Sequence, residues 1–126
     1  MSRPIYPTVE EVLVLHSLLI ERYGGEPGVR DLGLLDAALH RPSSGYYAAL
    51  SEQAAALLQG LANNHAFVDG NKRVAFATMV IFLRLNGFDL RVTADDAEAF
   101  LIGEVIRKRA GIDPISMWIE EHIQAL

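Results

Sequence analysis

The sequence contains no cysteine, which excludes a disulfide framework, a thiol nucleophile and a zinc site built on cysteine ligands. It has no block of lysine and arginine, and its formal net charge of −5 argues against a general nucleic-acid-binding surface. Its longest apolar runs are too short to span a bilayer, and Met1 to Pro4 form no apolar leader. Repeats, low-complexity segments and linkers are also missing. These absences predict a single-domain cytoplasmic protein, residues 1–126, that binds neither membranes nor nucleic acid directly.

Helical patterns dominate what is present. Hydrophobic residues make up 51% of the chain, which is enough to fill a core, and no segment shows a convincing strand-like alternation. We therefore predict an all-α fold of about six helices. The segment Val74–Leu83 is apolar on all sides, which is typical of a buried central helix, and Gly87 suits the position just after its end.

Capping residues set the other predicted helix boundaries. Thr8, with Glu11 three residues later, forms a capping box, and the helix that it opens ends at Gly24-Gly25. A short second helix through Leu34 to Leu39 stops before Pro42. Three further N-caps are predicted. Ser51 begins a helix that ends near Asn64, Thr93 begins a helix that ends in Arg107–Arg109, and Asp113 begins the last helix.

The start of the central helix breaks a local rule. Lys72 and Arg73 fall in its first turn, where the positive end of the helix dipole disfavours cations. A sequence that breaks such a rule at the mouth of a buried element often marks a functional site. Two cations beside the free N–H groups of a first turn favour an anion site, most naturally for phosphate.

The neighbouring residues supply the other parts that phosphoryl or nucleotidyl transfer needs. His65 is a candidate general base, since histidine exchanges protons near neutral pH, and Asp69 is a candidate oxygen ligand for Mg²⁺. Gly70 permits close approach of the backbone to a phosphate, and Asn71 joins Lys72 and Arg73 as a candidate phosphate ligand. Phe67 is predicted to be an apolar plug that holds this loop rigid.

Simpler interpretations exist for several of these residues. His65 follows a helix C-terminus, where a histidine is favourable without any function, and Asp69 or Asn71 alone is an ordinary N-cap. The tyrosines of the connector Ser43–Tyr47 are typical of surface-loop residues that pack on the core. His16 is predicted to be a half-buried packing residue in the first helix, without a functional role.

The segment from His65 to Arg73 resembles the motif of the Fic/Doc family, which in its Fic branch reads His-Pro-Phe-x-(Asp/Glu)-Gly-Asn-Gly-Arg-x-x-Arg. Three positions depart from it: Ala66 replaces proline, Lys72 the second glycine, and Phe76 the second arginine. The Asn-Lys-Arg ending is the form of the Doc branch. The likeness also covers residues 23–25, 28–31, 34–39 and 82–87, and so most of the chain.

The resemblance implies a toxin that transfers the γ-phosphate of ATP, with Mg²⁺, to a threonine of elongation factor Tu and thereby stops translation. It further implies neutralisation by a Phd-like antitoxin. The segment Gly45-Tyr46-Tyr47 is implied to be a flap that holds the target protein. Ser17 and Glu21 resemble part of the inhibitory motif of self-silenced Fic enzymes, but Arg22 does not fit that motif.

Three other functions stay open. In Fic enzymes that transfer AMP, the second glycine admits the α- and β-phosphates and the second arginine holds the γ-phosphate. Because Lys72 and Phe76 replace these two residues, they favour phosphate transfer over AMP transfer to a protein hydroxyl. A non-catalytic module that binds nucleotide or antitoxin is a further alternative. A ribonuclease is the weakest, because the motif has one histidine and the chain is acidic.

Overall fold

The computed structural model describes residues 3–126. Its six α-helices confirm the all-α prediction: α1 (Val9–Tyr23), α2 (Leu32–His40), α3 (Leu50–Asn63), α4 (Asn71–Leu85), α5 (Ala94–Phe100) and α6 (Ile112–His122). A 3-10 turn, Arg41–Ser43, follows α2, and α5 continues directly as a π-helical segment, Leu101–Arg107. Two strands, β1 (Phe88–Leu90) and β2 (Ile123–Ala125), form a small antiparallel sheet. The single domain over residues 1–126 stays a prediction, and Met1 and Ser2, where no leader was predicted, lie outside the described residues.

The core is built around α3 and α4. Helix α3 packs on both α4 and α6, and its middle, Ala54–Leu58, is fully buried. Helix α4 buries one face against α3 and α1, but it is not enclosed on every side as its composition predicted. Phe76 and Ala77 are half-buried, and Ile81 is 38% exposed. This partly open flank of α4 borders the groove described below.

Several of the helix ends lie where the capping residues in the sequence predicted them. Thr8 and Glu11 form the predicted capping box, with Glu11 N donating to Thr8 Oγ1 at 3.1 Å and Thr8 N donating to Glu11 Oε1 at 2.9 Å. The bond from Thr8 N to the carboxylate, followed by the interaction of the carboxylate with the Thr8 hydroxyl, lowers the pKa of Glu11. Thr93 caps α5 as predicted. Gly87 follows the end of α4 in the left-handed region, at φ 93°.

Two predicted N-caps are wrong. Helix α3 begins at Leu50, after Ala49, so Ser51 lies inside it. Its buried hydroxyl donates to Glu120 of α6 at 2.6 Å, because a buried donor needs a partner and α6 provides one. Helix α6 begins at Ile112, so Asp113 stands within the first turn, where a carboxylate complements the dipole without capping the helix.

The structure also contains elements that the sequence did not predict. Strands β1 and β2 pair Phe88 with Ala125, although neither three-residue segment is long enough to show alternation. The predicted fifth helix changes to π geometry at Leu101 and is followed by Arg109 at a positive φ of 50°. No helix within residues 3–126 is long and apolar enough to cross a membrane.

Candidate active site at the start of α4

The residues from Asn64 to Gly70 form an irregular loop that joins α3 to α4. Helix α3 ends at Asn63, and His65 then adopts a positive φ of 55°, a conformation that costs a residue with a side chain roughly 1–2 kcal/mol. Gly70, at φ 75°, is the left-handed N-cap of α4. The side chain of His65 is exposed, whereas Ala66 and Phe67 are each only 1% exposed. The loop therefore anchors itself in the core and presents His65 to solvent.

The segment Gly28–Asp31, before α2, holds this loop from one side. The backbone N–H groups of Arg30 and Asp31 both donate to the Ala66 carbonyl, at 2.8 and 3.0 Å, and Val68 N donates to the Gly28 carbonyl at 3.1 Å. The Arg30 side chain adds a bond from Nε to the His65 carbonyl at 2.7 Å and one from Nη2 to the Asn64 carbonyl at 3.3 Å. This clamp fixes the backbone on both sides of the exposed imidazole.

Helix α1 holds the loop from the other side through His16. The side chain of His16 is only 3% exposed, and its Nε2 donates to the Asp69 carbonyl at 2.7 Å. Its ring stacks on Phe67 with centroids 3.8 Å apart and planes 12° apart. His16 is thus buried and not half-buried as predicted. No functional role was predicted for it, because a lone histidine within a helix carries no signal of a partner so far along the chain. In the folded chain it is part of the site.

Asp69 presents an ionised carboxylate at the mouth of α4. Its Oδ2 accepts a hydrogen bond from Glu26 N at 3.1 Å, and its Oδ1 accepts one from Gly70 N at 2.8 Å. The bond from Glu26 and then the bond from Gly70 lower the pKa of Asp69, with smaller contributions from the charges of His16 and Arg73. A solvent-exposed carboxylate that is ionised at neutral pH, with a second lone pair on each oxygen, fits an oxygen ligand for Mg²⁺.

Asn71 supports the loop with its own side chain. Its Oδ1 accepts from Phe67 N at 3.0 Å, and its Nδ2 donates to the Phe67 carbonyl at 2.9 Å. These bonds leave one Nδ2 hydrogen for a ligand. Phe67 is thus held through its backbone by Asn71 and through its ring by His16, which makes the loop rigid.

A groove of about 1020 Å³ opens beside this loop, between α1, α4 and the π-helical segment. Its polar lining includes His65, Asp69, Lys72, Arg73 and Arg109, and its apolar lining includes Leu19, Phe76, Ala97 and Ile102. Lys72 and Arg73 are exposed, and among residues 3–126 neither forms an ion pair. The guanidinium of Arg73 lies 4.4 Å from the centroid of the Tyr23 ring, which orients it without neutralising it. The groove therefore combines a cationic helix start, a carboxylate and an exposed imidazole.

Comparison with known proteins assigns this arrangement to a family. A sequence profile of the Fic/DOC family matches residues 6–83. The chain belongs to the Fic/Doc family. It is 45% identical over 113 residues to Toxin Doc of Mycolicibacterium smegmatis, covering 85% of either chain. It is also 37% identical over 103 residues to Protein kinase doc of Escherichia phage P1, covering 76% of this chain and 82% of that relative.

Two of the three residues that depart from the Fic motif, Lys72 and Phe76, lie in the wall of this groove. Lys72 adds a cation where the motif of the Fic branch has its second glycine. Phe76, where that motif has its second arginine, is half-buried in the groove wall, one turn into α4. A phenyl ring does not bind phosphate, so the cationic part of the groove ends close to the helix start.

The segment Gly45-Tyr46-Tyr47 lies outside this groove. Tyr46 is 89% exposed, while Tyr47 is half-buried and its hydroxyl accepts a hydrogen bond from Arg41 Nε at 3.0 Å. Arg41 lines a smaller cavity of about 310 Å³, which shares Asn63 and Arg109 with the groove. The structure thus brings neither tyrosine into the groove with the other predicted site residues.

Proposed function

We propose that this protein is a Doc-like toxin that transfers the γ-phosphate of ATP to a hydroxyl group of a target protein. The observation that carries the proposal is the cationic start of α4, where Lys72 and Arg73 pair with no acid of residues 3–126 and lie close along the chain to an exposed histidine. The names of the two relatives, a toxin and a protein kinase, support it.

The phosphates of ATP would bind at the first turn of α4. Its free backbone N–H groups and the side chains of Lys72 and Arg73 offer charge-assisted hydrogen bonds in a rigid loop. One Nδ2 hydrogen of Asn71 adds a further donor. Gly70 permits the left-handed backbone turn, at φ 75°, from which this first turn starts. Positioning and charge neutralisation of this kind provide most of the catalysis in phosphoryl transfer.

Asp69 would hold Mg²⁺. A divalent ion held there would supply positive charge that offsets part of the negative charge of the phosphates. The carboxylate of Asp69, whose pKa is lowered by backbone hydrogen bonds, stays ionised at neutral pH and also in mild acid, so it can bind a cation. The backbone bonds from Glu26 and Gly70 fix the orientation of the carboxylate before the ion arrives.

His65 would act as the general base. As the acceptor oxygen forms a bond to the γ-phosphorus, the bond from that phosphorus to the bridging oxygen breaks and ADP leaves. The imidazole takes the proton from the acceptor hydroxyl. Its exposure at the rim of the groove allows a protein substrate to approach, and the Arg30 clamp holds its backbone in place.

Lys72 and Phe76 favour phosphate transfer over AMP transfer. Lys72 occupies space that AMP-transferring members of the family leave to phosphates, and Phe76 removes the arginine that holds their γ-phosphate. Transfer of AMP to a protein hydroxyl is the second candidate, because the remaining motif residues are common to both reactions.

The family resemblance supports a specific target and a specific inhibitor. We propose that the acceptor is a threonine of elongation factor Tu, that Gly45-Tyr46-Tyr47 contacts it, and that both proteins meet in the cytoplasm. A Phd-like antitoxin would silence the toxin in trans, since Ser17, Glu21 and Arg22 do not form a complete inhibitory motif. The half-apolar groove suits an amphipathic segment that folds on binding.

The test is mass spectrometry of elongation factor Tu after incubation with the protein, ATP and Mg²⁺. We expect the mass of one phosphate on a threonine, and a rate that His65→Ala lowers by about 10²–10⁴-fold while ATP affinity is kept. His40→Ala is the matched control, because His40 is exposed on α2 and does not line the groove.

Other outcomes separate the alternatives. The mass of AMP on the acceptor would contradict the kinase and support AMP transfer. ATP binding without transfer to any acceptor would support a binding module. Full activity of His65→Ala would refute its assignment as the base. Growth of cells that contain active protein without the product of the adjacent reading frame would contradict both the toxin and its inhibition in trans.

A further inference from the structure

We propose that His16 is a positioning residue for the phosphate-binding loop. Its Nε2–H fixes the Asp69 carbonyl and thereby sets the plane of the peptide between Asp69 and Gly70, from which the first turn of α4 begins. This inference rests on the proposed function in one respect, namely that the first turn of α4 binds the phosphates of ATP.

The burial of His16 is the first observation. It is one of only two buried residues of α1, the other being Val12, and it is 3% exposed. A buried polar side chain requires a hydrogen-bond partner, and Nε2 has one, the Asp69 carbonyl at 2.7 Å. A carbonyl oxygen only accepts, so Nε2 must carry a proton. The geometry thus defines the protonation of this nitrogen.

Contact with Gly70 is the second observation. A Cβ atom placed on Gly70 would lie 3.5 Å from His16 Nε2 and 3.2 Å from Ile20 Cδ1. His16 and Ile20 lie one turn apart on α1 and form the surface on which the left-handed turn of Gly70 rests. His16 therefore touches the loop at the residue where the backbone changes from loop to helix.

Packing alone does not account for a histidine at this position. The stack on Phe67, with centroids 3.8 Å apart, could be made by another aromatic ring. Only a ring with a donor at its edge can both stack on Phe67 and satisfy the Asp69 carbonyl. When that donor is lost, the carbonyl must find water, and the peptide between Asp69 and Gly70 keeps the bond from Gly70 N to Asp69 Oδ1 but loses its anchor on α1. The first turn of α4 then loses its fixed orientation toward the groove.

Two substitutions separate the donor from the ring. His16→Phe keeps an aromatic ring of similar size and removes the donor, whereas His16→Gln keeps an N–H donor and removes the ring. The matched control is His122→Phe. His122 also packs on an aromatic ring and bonds a carbonyl, that of Trp118 at 2.6 Å, but it lies on α6 and does not line the groove.

The main measurement is an ATP titration followed by the amide signals of residues 70–73 in NMR spectra. We expect His16→Phe to weaken ATP binding about 3- to 10-fold, which is the range of one net hydrogen bond, and to shift the Gly70 amide signal before ATP is added. His16→Gln should stay within about 2-fold of the original protein, and His122→Phe should match it. Single-turnover phosphate transfer should follow the same order.

Several results would overturn the proposal. One is a folded His16→Phe variant with unchanged ATP affinity and an unchanged Gly70 signal. Another is equal impairment by Phe and Gln, which would assign the effect to the ring. If His16→Phe does not fold, imidazole nitrogen spectra of the unmodified protein decide the matter, because an unprotonated Nε2 contradicts the assigned bond.

The ATP titration keeps this proposal separate from the proposed kinase. If the unmodified protein binds ATP but phosphorylates no acceptor, the kinase is refuted while the effect of His16 on the loop is still measured. If transfer is present but insensitive to the loss of the donor, the kinase stands and the role of His16 is refuted.

Discussion

Replacement of Arg30 by alanine should slow phosphate transfer without weakening ATP binding. Arg30 does not line the groove, and its guanidinium bonds the carbonyls of His65 and Asn64. These bonds hold the His65 backbone at a positive φ of 55°, which by itself is unfavourable by roughly 1–2 kcal/mol. Without the clamp, the backbone can relax to a more favourable conformation and carry the imidazole away from the acceptor.

The size of the effect follows from the two bonds. The 2.7 Å bond is well formed and the 3.3 Å bond is weak, so the pair contributes about 1–1.5 kcal/mol at this exposed position. A conformational equilibrium that shifts by this amount changes about 5- to 12-fold, since 1.4 kcal/mol corresponds to a factor of ten. The bonds from the backbone N–H groups of Arg30 and Asp31 to Ala66 remain. We therefore expect the loop to stay in place and transfer to fall by up to about 12-fold.

The assay is single-turnover transfer at saturating ATP, together with an ATP titration. Arg30→Lys, which keeps one donor group, should fall between the original protein and Arg30→Ala. Arg84→Ala is the control, because Arg84 pairs with Asp89 at the opposite end of α4. Unchanged transfer by Arg30→Ala, or a loss explained wholly by weaker ATP binding, would refute the reasoning.

Three further predictions concern the start of α4. Lys72→Gly should weaken phosphate transfer because it removes a cation from the phosphate site. The mass added to the acceptor by each protein tests this, and Lys108→Gly, at another exposed lysine, is the control. Asp69→Asn should lower the denaturant midpoint at neutral pH. Because the folded pKa of Asp69 is lowered from 3.8, its contribution is present above that pH and is lost as pH falls through the folded pKa, so the two midpoints should converge in acid. Convergence at neutral pH instead would contradict this. Gly70→Ala should destabilise the fold by about 1–2 kcal/mol and weaken ATP binding, as urea unfolding and ATP titration report. Gly87→Ala, at φ 93° with no atom near the added Cβ, should show the strain alone and leave ATP binding unchanged.

Local signals in the sequence were sufficient for much of the fold. The capping box at Thr8 and Glu11 and the cap at Thr93 were predicted because each is a bond between a side chain and a backbone group within three residues. Ser51 shows where such signals fail. Its oxygen could accept a capping bond from a backbone N–H, but tertiary packing places the hydroxyl between α3 and α6, where it donates to Glu120, 69 residues away, and accepts from Ser116.

The partly open flank of α4 and the small sheet also depended on tertiary structure. The apolar sequence of α4 predicted a helix enclosed on all sides, but a sequence pattern does not determine how many neighbouring helices cover it. In the folded chain, Phe76 and Ala77 are only half-buried and line a groove. Strands β1 and β2 pair because folding brings residues 123–125 beside residues 88–90. Segments of three residues are too short for their sequence to indicate such a pairing.

The sequence by itself determined the chemistry of the candidate site. His65, Asp69, Lys72 and Arg73 lie within nine consecutive residues, so their grouping follows from spacing along one loop and one helical turn. Only the tertiary structure decided how that loop is held. Arg30 and His16 reach it from 35 and 53 residues away. The backbone of an irregular loop cannot satisfy its own hydrogen bonds, so the partners it obtains depend on which distant elements folding brings beside it.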